Sequence, residues 1–142
     1  MLKIDIPDIR TQKDMVRRDA VRKACIQLDK NLLAEHIPGP VHFDYRQYGT
    51  RHLNVENDGW EPPAAALVNA WFEHFKSAFP EYGSDKKLGI LLGLNGNVDR
   101  RIRSFRNGER PVPYGVWRHF LVITGRVSQE IIPVLVIIDD ES

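Results

Sequence analysis

The chain has one cysteine, Cys25, in 142 residues, so it forms no internal disulfide. That usage fits a reducing compartment. Long apolar runs are also missing. The longest, Ile131–Ile138, contains Pro133 and falls well short of the roughly 18 residues that a membrane span needs. The start of the sequence, MLKIDIPDIR, has no apolar core of the secretory type. A cytoplasmic protein with no membrane attachment is therefore expected. Catalytic signatures are absent too: there is no Gly-x-Ser-x-Gly elbow, no phosphate-cradling glycine loop and no His-Glu-x-x-His. No pair among His36, His42, His52, His74 and His119 has zinc-ligand spacing, and a single cysteine adds little. The cluster Asp139–Asp140–Glu141 reads as a solubilising end rather than a two-metal nuclease site. The expectation is a protein that is not an enzyme and has no catalytic residue, metal or cofactor. Repeats and low-complexity segments are missing as well.

What remains is an ordinary globular composition, 42% hydrophobic and 27% charged, enough for one domain or a small domain with an accessory segment. The net charge of +1 hides an uneven distribution. Between Ser84 and Arg126 lie Lys86, Lys87, Arg100, Arg101, Arg103, Arg106, Arg110, Arg118 and Arg126, opposed only by Asp85, Asp99 and Glu109. That stretch carries +6 and the remainder −5. A basic part joined to an acidic part suits a polyanion-binding surface, although a solvated face can cluster charge by chance.

Apolar periodicity predicts helices over most of the chain. Thr11–Leu33 is amphipathic, opened by a Thr11/Asp14 capping-box pattern and striped by Val21, Cys25, Leu28 and Leu32. IPGP at Ile37–Pro40 ends it. Residues 41–57 show weak alternation and fit a short hairpin or an irregular linker. Glu61–Pro62–Pro63 opens a helix striped by Val68, Trp71, Phe72, Phe75 and Phe79 and stopped at Pro80. These aromatics at helical spacing are core formers rather than a stacking platform for single strands. Ser84 or Asp85 caps the next helix, with Leu88, Leu91 and Leu92 inward and Gly93 at its end. A last helix runs from Pro113 or Tyr114 to Gly125 around Trp117, Phe120, Leu121 and Thr124. Ile131–Ile138 is a strand or a buried extended tail, which periodicity cannot decide.

The segment NVDRRIRSFRNGERPVP carries the functional argument. As a helix, it places Val98, Ile102 and Phe105 in one narrow arc. Arg100, Arg103, Ser104 and Asn107 fall opposite, with Arg101 and Arg106 on the flanks. Asn97 or Asp99 caps its start and Gly108 ends it. One side is built for burial. The other offers arginine, serine and asparagine, which hydrogen-bond to base edges and phosphates. A short apolar helix, a glycine-containing turn and a basic helix is also the helix-turn-helix order.

The stretch GLNGNVDRRIRSFRNGERPVPYGVWRHFLVITG resembles the Cro/lambda-repressor-type (XRE-like) helix-turn-helix regulators of phages and mobile elements. In that family the recognition helix closes on an aromatic, a glycine three residues on, then a basic residue and a proline. Here these are Phe105, Gly108, Arg110 and Pro113. The following helix is often of the type PYxxWRxxL, matched by Pro113, Tyr114, Trp117, Arg118 and Leu121. The resemblance covers Pro62 to Gly125. It departs in a longer turn at Gly93–Asp99 and in the first sixty residues, which match nothing in the family.

Together these readings predict a mainly α fold: a lambda-repressor-like helix-turn-helix domain over residues 61–126, an N-terminal helical segment over 1–60 and a short C-terminal apolar strand or tail over 127–142. The expected function is sequence-specific regulation of transcription on double-stranded DNA, with helix 99–107 in the major groove. Arg100, Arg103, Ser104 and Asn107 are the expected base or phosphate contacts, and Arg101, Arg106, Arg110 and Lys86 the phosphate clamps. A homodimer is expected, through the Val21–Leu32 stripe or the apolar tail, and with it a roughly palindromic operator. The alternative is a non-enzymatic interaction module that keeps the scaffold but binds a protein partner, with the N-terminal segment as the docking part.

Overall fold

The computed structural model describes residues 3–140. It is mainly helical, with five α-helices and no strand among the described residues. None of these helices is long and apolar enough to cross a membrane. The chain divides into two compact units, one ending at Pro38 and the other beginning at Gly39.

The first unit is built on α1 (Ile9–Asn31). Its start lies earlier than the Thr11/Asp14 pattern suggests, because the Asp8 carboxylate accepts the Thr11 amide at 2.7 Å and Gln12 donates back to Pro7. The Thr11 hydrogen bonds hold the Asp8 carboxyl below its ordinary value. Along α1, Arg18 pairs with Asp14 and Lys23 with Asp19, each at i,i+4. No residue of this helix is buried, and the stripe Val21, Cys25, Leu28 and Leu32 is exposed.

The second unit is organised around α2 (Ala65–Ala78). Pro62 and Pro63 precede its first turn, and Pro80 opens a 3-10 turn just after it. Leu67, Val68, Trp71, Phe72 and Phe75 give α2 one continuous buried side. Against it pack α3 (Asp85–Leu91), α4 (Val98–Asn107) and α5 (Tyr114–Ile123), which supply Leu88, Ile102, Phe105, Trp117, Phe120 and Leu121 to the same core. Trp117, Phe72 and Phe120 are fully buried, each contributing roughly 1.5–3 kcal/mol over an exposed side chain. Their rings stack and cross at centroid distances of 4.9–6.0 Å.

This core reaches further back than residue 61. Phe43, Tyr48, Leu53 and Trp60 pack against it from the segment before α2, which is not a hairpin but an irregular stretch with two 3-10 turns, Tyr45–Tyr48 and Arg51–Leu53. His52 is the pin. Its Nδ1 accepts the Trp117 indole N–H at 3.2 Å, and its carbonyl accepts the Trp60 indole N–H. Burial pushes the His52 pKa down, the Gly49 backbone hydrogen bond pulls it up, and the Arg126 charge lowers it further. At the other end, residues 131–138 are irregular and exposed rather than a strand or a buried tail. They meet no partner strand among the described residues. Glu141 of the acidic end lies outside the described residues.

Candidate nucleic-acid interface

The geometry of α4 is set by its contact with α3. Ser84 accepts the Lys87 amide through its hydroxyl and starts α3. Inside α3, Gly89 is buried where Val98 and Ile102 of α4 press against it. A Cβ at Gly89 would collide with Val98. Six residues, Leu92–Asn97, join the two helices, more than the roughly three or four of a minimal helix-turn-helix. The extra length is folded in. Gly93, Gly96 and Asn97 all have positive φ, Leu94 donates to the Gly89 carbonyl at 2.9 Å, and its side chain is buried in the core. Asn97 occupies the cap position in a left-handed conformation without a side-chain cap, and Asp99 sits in the first turn. Gly108, with φ 84°, ends α4 as its place in the sequence predicts.

Ile102 and Phe105 are buried and Val98 is half-buried, so the inner arc lies where the periodicity puts it. The outer residues divide. Arg100 and Arg103 are exposed, and so are Lys86 on α3 and Arg110 after Gly108. Among the described residues no carboxylate forms an ion pair with any of them. Lys87, next to Lys86, is also exposed and unpaired among the described residues. Its adjacency to Lys86 was the available signal for including it. Arg101 is half-buried and braces the turn by donating to the Asn95 carbonyl at 3.3 Å. Asn107 is exposed, but its amide is tied to Glu109, donating to the carboxylate at 2.9 Å and accepting the Glu109 N–H at 3.0 Å.

Two expected contacts are placed differently. Ser104 is buried at 6% exposure, and its hydroxyl donates to the Arg101 carbonyl at 2.7 Å. Past Gly108 the chain turns back, and the Arg110 amide donates to the Ser104 carbonyl. Arg106 is turned inward, with every guanidinium nitrogen engaged. Nε donates to Asn69, Nη1 to both oxygens of Asp85 at 2.8 and 2.7 Å, and Nη2 pairs with Glu73. Lys76 joins the cluster, reaching Asp85 at 2.9 Å and Glu73 at 2.7 Å. The cluster knits α4 to α2 and α3, and it pairs the carboxylates of Glu73 and Asp85.

Two more arginines of the basic stretch belong to the fold. Arg118 donates to the carbonyls of Leu53 and Ser128. Arg126 lies 3.8 Å over the Trp71 ring, and burial lowers its pKa. Once Arg106, Arg118 and Arg126 are set aside, the cations of the basic stretch that form no ion pair among the described residues are Arg100, Arg103, Arg110, Lys86 and Lys87, with Arg101 held to the Asn95 carbonyl. Among the described residues no group of three or more His, Cys, Asp or Glu side chains is placed to hold a metal ion. Set against known proteins, the chain matches no family model, no curated protein and no solved structure.

Proposed function

We propose that this chain is a sequence-specific, double-stranded-DNA-binding regulator of transcription, with a lambda-repressor-like helix-turn-helix formed by α3 and α4. In this reading α4 enters the major groove. Arg100 and Arg103 reach base edges, and Lys86, Arg101 and Arg110 hold phosphates. Asn107 contributes only on giving up its bonds to Glu109. Ser104 and Arg106 orient the helix instead of touching DNA. The chemistry is binding alone. A homodimer in the cytoplasm, reading two half-sites one helical turn apart, completes the picture, with a place among the XRE-like regulators of phages or mobile elements.

The observation that carries this reading is the asymmetry of α4. Its inner side is locked by Ile102, Phe105 and the Arg106 cluster, while on its outer side Arg100 and Arg103 are exposed and form no ion pair with a carboxylate among the described residues. A solvated helix usually mixes both signs on its outer face. A mobility-shift assay with Arg103→Ala tests it. Specific binding should weaken, since one bidentate arginine–guanine pair discriminates by about 1–3 kcal/mol. Unchanged affinity and selectivity would remove α4 from the groove.

A second reading rests on the exposed apolar residues of the tail, such as Leu135 at 96% and Ile138 at 80%. They suit a protein-interaction module that uses the same scaffold. Heparin or random-duplex binding at low salt separates the two, because a regulator binds through its basic surface and an interaction module need not.

A further inference from the structure

Outside the second unit, the most charged surface is α1. It carries seven basic side chains against three acidic ones, a local +4. Asp14 and Asp19 are engaged by Arg18, Arg22 and Lys23 in exposed pairs, which hold their partners only weakly. Lys13 and Arg17 lie one turn apart on the same side, with no carboxylate partner among the described residues. The row continues through Ala20 and Ala24, which leave the helix backbone open to close approach. Besides the stripe Val21, Cys25, Leu28 and Leu32, the apolar residues Met15, Val16 and Ile26 fall on other sides and are all exposed, so the apolar residues of α1 are spread around it instead of being gathered on the one face that lies in a lipid interface.

We infer that α1 is a second, sequence-independent nucleic-acid contact, gripping the sugar–phosphate backbone through the Lys13–Arg17 side. This rests on the reading of α4 as the element that reads DNA, and it adds a non-specific anchor on the same chain. Binding by one surface makes engagement of the other intramolecular, which raises avidity without adding sequence information. Each phosphate neutralised by a lysine or arginine releases condensed counterions, so the anchor is read directly from salt dependence.

The test uses the full chain and a fluorescent random-sequence duplex, with anisotropy measured across a salt series. Replacing Lys13 and Arg17 by glutamine should make the slope of log affinity against log salt shallower by about 1.8, and weaken binding about tenfold at moderate salt. The preference for a specific over a random duplex should stay unchanged. Asp14→Asn with Asp19→Asn, which frees three cations, should strengthen binding, an effect that misfolding would not imitate. Arg100→Ala with Arg103→Ala should instead erase the preference. If the α4 variants change selectivity while the α1 variants leave slope and affinity alone, the anchor is refuted and the α4 reading stands. If the chain binds no duplex at any salt, both fail. Sedimentation with phosphatidylserine vesicles, lost in the Lys13/Arg17 variant without any change in duplex binding, would overturn the anchor in favour of a membrane surface.

Discussion

Arg106 lies in the basic stretch and on a flank of α4, yet the structure makes it part of the fold. Replacing it with alanine separates the two roles. In the native chain its side chain is 22% exposed and that of Asp85 15%, and two hydrogen bonds of 2.7–2.8 Å join them. Removing one partner of a buried pair costs about 3–5 kcal/mol. Here the cost is smaller, because Lys76 still faces Asp85 at 2.9 Å and Glu73 is half in solvent. A loss of about 2 kcal/mol follows, in line with roughly 1.5–3 kcal/mol for a hydrogen bond to a charged group. For a unit of this size that lowers Tm by roughly 8–16 °C. Urea unfolding of Arg106→Ala beside Arg103→Ala is the assay. Arg103 is exposed and unpaired among the described residues, so its removal should stay within about 0.5 kcal/mol of wild type. A double-mutant cycle with Asp85→Asn should return a coupling of about 1 kcal/mol or more. If Arg106→Ala left stability unchanged but removed DNA binding, Arg106 would be a phosphate clamp and the positioning argument would be wrong.

Three further outcomes test other parts of the account. Gly89→Val puts a branched side chain into the α3–α4 contact at Val98 and should destabilise by about 1–3 kcal/mol in urea unfolding, with part of the loss recovered by adding Val98→Ala. His52 has a folded-state pKa below its unfolded value near 6.5, so its contribution to stability is full above about pH 6.5 and is lost as pH falls through the lowered folded value. Thermal unfolding at pH 7.5 and 5.5 should show a drop in wild type that shrinks in His52→Asn, and an equal drop in both would refute the assignment. Trp117→Phe keeps most of the ring packing but removes the donor to His52 Nδ1, and should cost roughly 1–3 kcal/mol by calorimetry, more than Phe120→Leu only if that hydrogen bond matters as described.

The helices of the second unit were legible because each has a local signal. Trp71, Phe72 and Phe75 recur at helical spacing, Ser84 caps, and Gly108 stops α4. What could not be read depends on contacts far apart in sequence. His52 meets Trp117 across 65 residues, so the segment before α2 looked like a weak hairpin or linker although it completes the core. Arg106 stands on the flank of an idealised helix, and nothing local says that its guanidinium reaches Asp85 and Glu73. Ser104 points outward on that same cylinder, but the return of the chain at Arg110 is a tertiary feature that periodicity does not see. The charge on α1 is equally legible in the sequence, but a balance taken over everything outside Ser84–Arg126 hides it, because the +4 of α1 is offset by the acidic groups of residues 32–83 and 127–142.

Selection of bound duplexes from a random library by the 142-residue chain tests the central claim most directly. Wild type should enrich a short consensus, and Arg100→Ala with Arg103→Ala should lose it while keeping the unfolding midpoint of the parent. Equal enrichment by both proteins, or no enrichment by wild type at low salt, would contradict the assignment of α4 as the helix that reads DNA.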